Sequence, residues 1–176
     1  MAGFLKAVLV AIITVAAILV FMNMAFFFPW YMEIIQTTFE VSQMVSTENY
    51  VPYDYHEDTL RELRDKPIFR ERAAMTRIEA VHEDGRGAIE QYGRRDVNDY
   101  YTLDLNDKPY DQMGKLVTVT VHASYPFRMK LFGKQLEAAD IPVSFTMTTV
   151  TTRHYKDLEY NFGPDGYYYD DYDDDW

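Results

Sequence analysis

The chain has 176 residues, with 17 Lys and Arg against 28 Asp and Glu, a formal charge of −11, and no cysteine. That acidity excludes nucleic acid, whose phosphates demand a basic surface, and argues against tight adhesion to an anionic leaflet. Without cysteine there is no thiolate nucleophile, no zinc–thiolate site and no iron–sulfur cluster, and a disulfide-free domain outside the cytoplasm suits a bacterial envelope protein.

From Ala7 to Phe28 the sequence AVLVAIITVAAILVFMNMAFFF carries no charge; Lys6 precedes it and Pro29-Trp30-Tyr31 follows. As a helix this run covers ~33 Å, close to the ~30 Å of a hydrocarbon core, so residues 1–28 are predicted to form a transmembrane anchor. Its only clearly polar side chains are Thr14, which can bond the backbone of the preceding turn, and Asn23, near one end, where headgroups or a partner can satisfy it. A cleavable signal peptide has a shorter apolar region and a small-residue cleavage site, and Asn23-Met24-Ala25-Phe26-Phe27-Phe28 is too bulky for one. Lys6 is the only basic side chain before the span, and none follows until Arg61, so the N-terminus is expected in the cytoplasm and the bulk of the chain outside it. Lys6, Trp30 and Tyr31 are the expected interface anchors. Ala7, Ala11, Ala16 and Ala17 place small residues along the helix, a pattern that permits close helix packing in lipid.

Residues 29–47 follow as a juxtamembrane helix. Tyr31, Ile34, Ile35, Thr38, Val41 and Val45 fall on one helical face, although the β-branched residues leave a strand open as the alternative. Pro29 reads as a kink or as the first residue of a new helix. Residues 48–162 are expected to form an extracytoplasmic α+β domain, and the chain beyond the anchor is long enough for a real core. Within it, Glu48–Asp58 has no period and reads as a turn. Thr59 to Glu62 resembles a capping box for a short helix ending before Pro67. A second helix is predicted from Pro67, with Ile68, Met75, Ile78 and Val81 as its apolar stripe and Gly85-Arg86-Gly87 as its stop. Gln91–Asn98 reads as a charged loop. Tyr101, Leu103 and Leu105 suggest a short strand, and Asn106-Asp107-Lys108-Pro109 a turn.

The clearest signal is Leu116–Tyr125. Val117, Val119, Val121, Ala123 and Tyr125 alternate with Thr118, Thr120, His122 and Ser124, a half-buried strand. Phe127, Met129 and Leu131 alternate again, Gly133-Lys134 turns the chain, and a third run from Ile141 to Tyr155 completes an antiparallel meander, with a bulge expected near Thr149. Residues 163–176, GPDGYYYDDYDDDW, hold six Asp and four Tyr and no basic residue. This tail is expected to be disordered when the chain is free, and Tyr167, Tyr168, Tyr169, Tyr172 and Trp176 are candidate anchors for docking on a basic partner surface.

No constellation nominates a catalytic residue. There is no G-x-S-x-G, Walker loop, G-x-G-x-x-G or H-E-x-x-H. His122 and His154 become neighbours if their strands pair, and could then sense pH or hold a metal, but ordinary polar contacts at two partly exposed strand positions are the favoured reading. His56-Glu57-Asp58 and the Asp-rich tail lack the spacing of a built metal site. No cofactor is expected.

The membrane run Phe4–Phe28 with the paired segments VTVTVHASYPF (117–127) and IPVSFTMTTVTTRHY (141–155) resembles the TadE-like minor pilins of tight-adherence (Flp) pili. The resemblance implies a non-catalytic, single-pass subunit that oligomerises through its N-terminal helix with other pilin-like or secretion subunits. Pilin precursors are cut after a Gly with Glu five residues beyond; here Gly3 precedes Phe4, and the fifth position is Val8. The other function open at this point is a single-span protein whose outer domain binds another envelope protein.

Overall fold

A computed structural model describes residues 2–91, 103–131, 134–156 and 158. The fold is α+β: a long N-terminal helix followed by a small antiparallel sheet that packs on its C-terminal half. Helix α1 runs from Ala2 to Glu48, unbroken through Pro29. The predicted anchor and juxtamembrane helix are thus one element. Pro29 forfeits one backbone hydrogen bond, and Phe27 and Trp30 on either side of it both pack against Tyr125 of the sheet.

Trp30, Ile34, Thr37, Thr38, Val41, Ser42 and Val45 form the buried stripe of α1. Ile34, Thr38, Val41 and Val45 belong to the face read from the sequence. Trp30, Thr37 and Ser42 do not, and Tyr31 and Ile35 lie only at its flanks. Asn49 ends the helix with φ 69, a left-handed conformation that Asn tolerates better than most residues. It is fully buried. Its side-chain amide donates to the carbonyls of Asp111 and, at 3.0 Å, Arg153, while its Oδ1 accepts the Asp111 N–H at 3.2 Å. One residue therefore stops the helix and ties its end to two distant strands of chain.

Helix α2 spans Tyr53–Asp65, so it begins well before Thr59, and the turn expected up to Asp58 is its first half. No side chain of its own first turn caps it. Instead Glu90 Oε2 accepts the Tyr53 N–H at 2.9 Å, a cap supplied from a distant part of the chain that local sequence could not announce. The helix predicted from Pro67 is absent. A 3-10 turn, Arg70–Met75, leads into strand β1, Arg77–His82. Ile78, Ala80 and His82 face inward and Arg77, Glu79 and Val81 outward. Pairing with β2 decides the matter, because six residues of β1 find register partners from Val117 to His122.

Strand β2 spans Leu116–Leu131 and β3 Lys134–Val150, in the order β1-β2-β3. Phe127–Leu131 continues β2 and is no separate strand. The register irregularity lies between Phe127 and Met129, and the pairs Val117↔Thr149 and Leu116↔Val150 are regular, so the bulge expected near Thr149 is not there. β3 ends at Val150, short of Tyr155. Leu103 lies at a bend and Leu105–Asp107 is a 3-10 turn, which replaces the short strand expected there; Tyr101 lies outside the described residues, as does all but the first residue of the Gln91–Asn98 loop.

One core unites α1, α2 and the sheet: Trp30, Ile34, Val41 and Val45 meet Leu63, Phe69, Ile78 and the inner row Val117, Val119, Val121, Ala123 and Tyr125. A second cluster stacks Tyr110 on Tyr155, ring centroids 3.9 Å apart, with Tyr50 beside them. Ion pairs fasten the rim: Lys66 with Glu33, Arg72 with Asp140 at 2.7 Å, Arg153 with Glu48, and the half-buried Arg86 with Asp111 at 3.0 Å.

Candidate membrane anchor and its junction with the domain

Beyond the sheet α1 continues as a bare apolar rod. Phe4, Leu9, Ile13 and Phe21 are 76%, 58%, 59% and 73% exposed, and no residue from Gly3 to Ile18 is buried. Apolar surface on this scale is costly in water at ~25 cal/mol per Å², so another apolar phase must cover it. The rod is long and apolar enough to cross a membrane. Ala7, Ala11 and Ala16 lie along it, exposed like their neighbours, and Lys6 lies near its start. Thr14 donates its hydroxyl to the Val10 carbonyl at 2.8 Å, as its place in the run suggests. Asn23 donates one amide N–H to the Leu19 carbonyl at 2.9 Å, within the helix.

The junction begins at the same residue. Tyr125 Oη donates to the Asn23 carbonyl at 2.9 Å, the first bond between rod and sheet. Burial raises the Tyr125 phenol above its ordinary range and keeps it a neutral donor. One turn on, Phe27 packs edge-on against Tyr125 at 5.2 Å and parallel to Tyr31 at 5.6 Å. Trp30 then fills the centre, 5.3 Å from Phe69 and 5.1 Å from Tyr125.

This corrects the reading of Trp30 as an interface anchor: at 1% exposure its indole has no surface to offer a headgroup. Tyr31 is half-buried between Phe27 and Phe145. The aromatic cluster that sequence reasoning assigned to the interface is the first layer of the domain core. Phe28, 57% exposed, points away from that core. Among the described residues, the stretch of α1 before its first bond to the sheet is Phe4–Met22, ~28 Å long, still the thickness of a hydrocarbon core.

The histidines are not brought together. His122 lies opposite Ser144 and Arg77, with Nε2 3.3 Å from Glu79, whereas His154 lies past the end of β3. His82 is buried, with Nε2 2.8 Å from the Pro109 carbonyl. Among the described residues no group of three or more His, Asp or Glu could hold a metal ion. Tyr167, Tyr168, Tyr169, Tyr172 and Trp176 lie outside the described residues. No family model, curated protein or solved structure matches the chain.

Proposed function

We propose that this chain is a non-catalytic, membrane-anchored, pilin-like structural subunit of an envelope filament or secretion assembly, its N-terminus cytoplasmic and its sheet domain outside. The observation that carries the reading is that a single helix does two jobs. Its first half is an uncovered apolar rod, and its second half is the spine on which the sheet is built. A rod rigidly continuous with its domain transmits position and force, which a flexible tether does not. The exposed apolar rod suits either lipid or the matching rods of neighbouring copies, and Ala7, Ala11 and Ala16 leave room for close approach. The acidic tail, with Tyr167, Tyr168, Tyr169, Tyr172 and Trp176, is assigned to docking on a basic surface of a neighbour.

Disulfide trapping of Ala7→Cys or Ala11→Cys in native membranes tests the subunit reading. Because the chain has no cysteine of its own, every cross-link reports the introduced site. A disulfide-linked homodimer, the largest species that one cysteine per chain can form, supports an assembly through the rods. Monomer alone at each position along Ala7–Ala17, under conditions that oxidise a control pair, would refute it.

A further inference from the structure

We propose that the open side of α1 outside the membrane, formed by Phe28, Met32, Ile35 and Phe39, is the contact through which two copies of this chain pack their helices side by side, parallel and at equal height. The proposal rests on the reading of α1 as a membrane anchor and carries the contact between copies out of the lipid, onto the spine of the domain.

The open side is set by what flanks it. On one flank Tyr31 meets Phe145 of β3, with 6.3 Å between ring centroids. On the other, Glu33 pairs with Lys66 at the end of α2. Between them Phe28, Met32 and Phe39 are 57%, 59% and 47% exposed, and Ile35 is half-buried. These four follow one another at intervals of four, three and four residues, close to the ~3.5-residue average that turns an apolar seam toward a second helix. The same alternation runs back through Ala25, Phe21, Ile18, Thr14, Ala11 and Ala7. In the rod nearly every face is apolar and the alternation selects nothing. On the spine it does, because from Trp30 to Val45 the exposed positions are Met32, Gln36, Phe39, Glu40 and Gln43.

Lipid does not reach all of this stripe. A headgroup layer is ~5–8 Å deep. On a helix upright in the bilayer Phe28 lies ~9 Å past Met22, Ile35 ~20 Å and Phe39 ~26 Å. Phe28 stands at the outer edge of the headgroups. Ile35 and Phe39 stand in water, where a contiguous apolar stripe calls for a protein neighbour.

The membrane and the charge name that neighbour. Two anchored copies stand parallel and at the same depth, so a twofold axis along the membrane normal sets each seam residue opposite its own counterpart. Each copy carries a net charge of −11, so two copies repel except where neither presents charge. Pro29 and Gln36 border the seam on one side and Tyr31 and Thr38 on the other, and none is charged. The nearest charges have partners: Lys66 holds Glu33 and lies 3.9 Å from Glu62, and Glu40 accepts the Gln36 amide at 2.8 Å. Asp54, Glu57, Asp58 and Asp65 stand on α2 itself, and Asp58 pairs with Arg61 at 2.5 Å. Phe39 ends the seam and water reaches it from beyond, so a small side chain placed there stays accessible.

Single-cysteine variants of the full chain in native membranes test the seam. Met32→Cys, Ile35→Cys, Glu40→Cys and Ala11→Cys are oxidised under conditions that join a control pair. The expected result is a disulfide-linked homodimer at Met32→Cys and Ile35→Cys, and roughly tenfold less at Glu40→Cys, ~100° around the helix from Phe39. Adding Phe39→Glu to Met32→Cys sets two like charges opposite each other and should cut the homodimer roughly tenfold or more. Monomer at Met32→Cys and Ile35→Cys, with a homodimer at Ala11→Cys, overturns the seam and leaves an assembly through the rods standing. Equal yields at Met32→Cys and Glu40→Cys, or a yield that Phe39→Glu does not change, report random collision and overturn it. A Met32→Cys adduct whose mass is not twice that of the chain marks a foreign partner and overturns it as well. Monomer at all four positions overturns the seam and the assembly together.

Discussion

At Trp30 the chain sets its largest buried side chain between Phe69 and Tyr125. Trp30→Ala is expected to lower domain stability by ~3–5 kcal/mol, as large core truncations do, and Phe28→Ala to leave it within ~0.5 kcal/mol, measured by denaturant unfolding in a mild detergent. Equal losses would show that the indole is not in the core. The sheet makes a parallel pair: Val119→Asp, at a fully buried site, should cost several kcal/mol and Thr118→Asp, one residue away on the wetter face, far less. The alternation at Val117–Tyr125 was legible because a half-buried strand writes burial into every second residue. Trp30 was not legible, because an aromatic residue after an apolar run has the same appearance whether it faces headgroups or a sheet that folds back from a distant part of the chain. Burial also raises the phenols of Tyr50, with help from the Glu90 carboxylate, and of Tyr125. Both fold as neutral groups, so their contribution is intact below the ordinary tyrosine value of about 10 and declines as pH rises through their higher folded values. Tyr125→Phe should therefore flatten the alkaline loss of stability while costing only about 0.5–1.5 kcal/mol at neutral pH.

Among the elements, α1, β2 and the second half of α2 were readable from local pattern, and the start of α2 and strand β1 were not. The start of α2 depends on Glu90, and the strand Arg77–His82 forms because β2 offers it a partner. Both are long-range causes, and the apolar spacing Met75, Ile78, Val81 suits a helix just as well. The continuity of α1 carries its own prediction. A chain beginning at Asn23 keeps Phe27, Trp30 and the Tyr125 bond, and is expected to fold as a water-soluble domain. A chain beginning at Tyr31 loses all three and should unfold or aggregate. Amide exchange of Val117–Ala123 in the two truncations distinguishes them, and equal protection would mean that the rod and the spine are separable.

Across the whole molecule, a core shared by α1, α2 and all three strands makes the domain and the second half of the helix one body. A membrane that fixes the rod thereby fixes the orientation of the sheet. The tail belongs to this scale as well: deleting Asp165–Trp176 is expected to spare anchoring and folding while shortening assemblies at low salt, and unchanged assembly would make it a solvated end. The central claim is that the first half of α1 lies in lipid while the second half stands outside the cytoplasm as the spine of the domain. Labelling single-cysteine variants with a membrane-impermeant maleimide on intact spheroplasts tests it most directly. The account predicts that Phe39→Cys, on the exposed side of the spine, labels before lysis, and that Val15→Cys does not label before or after lysis. Labelling of Phe39→Cys only after lysis, or ready labelling of Val15→Cys on intact spheroplasts, would contradict it.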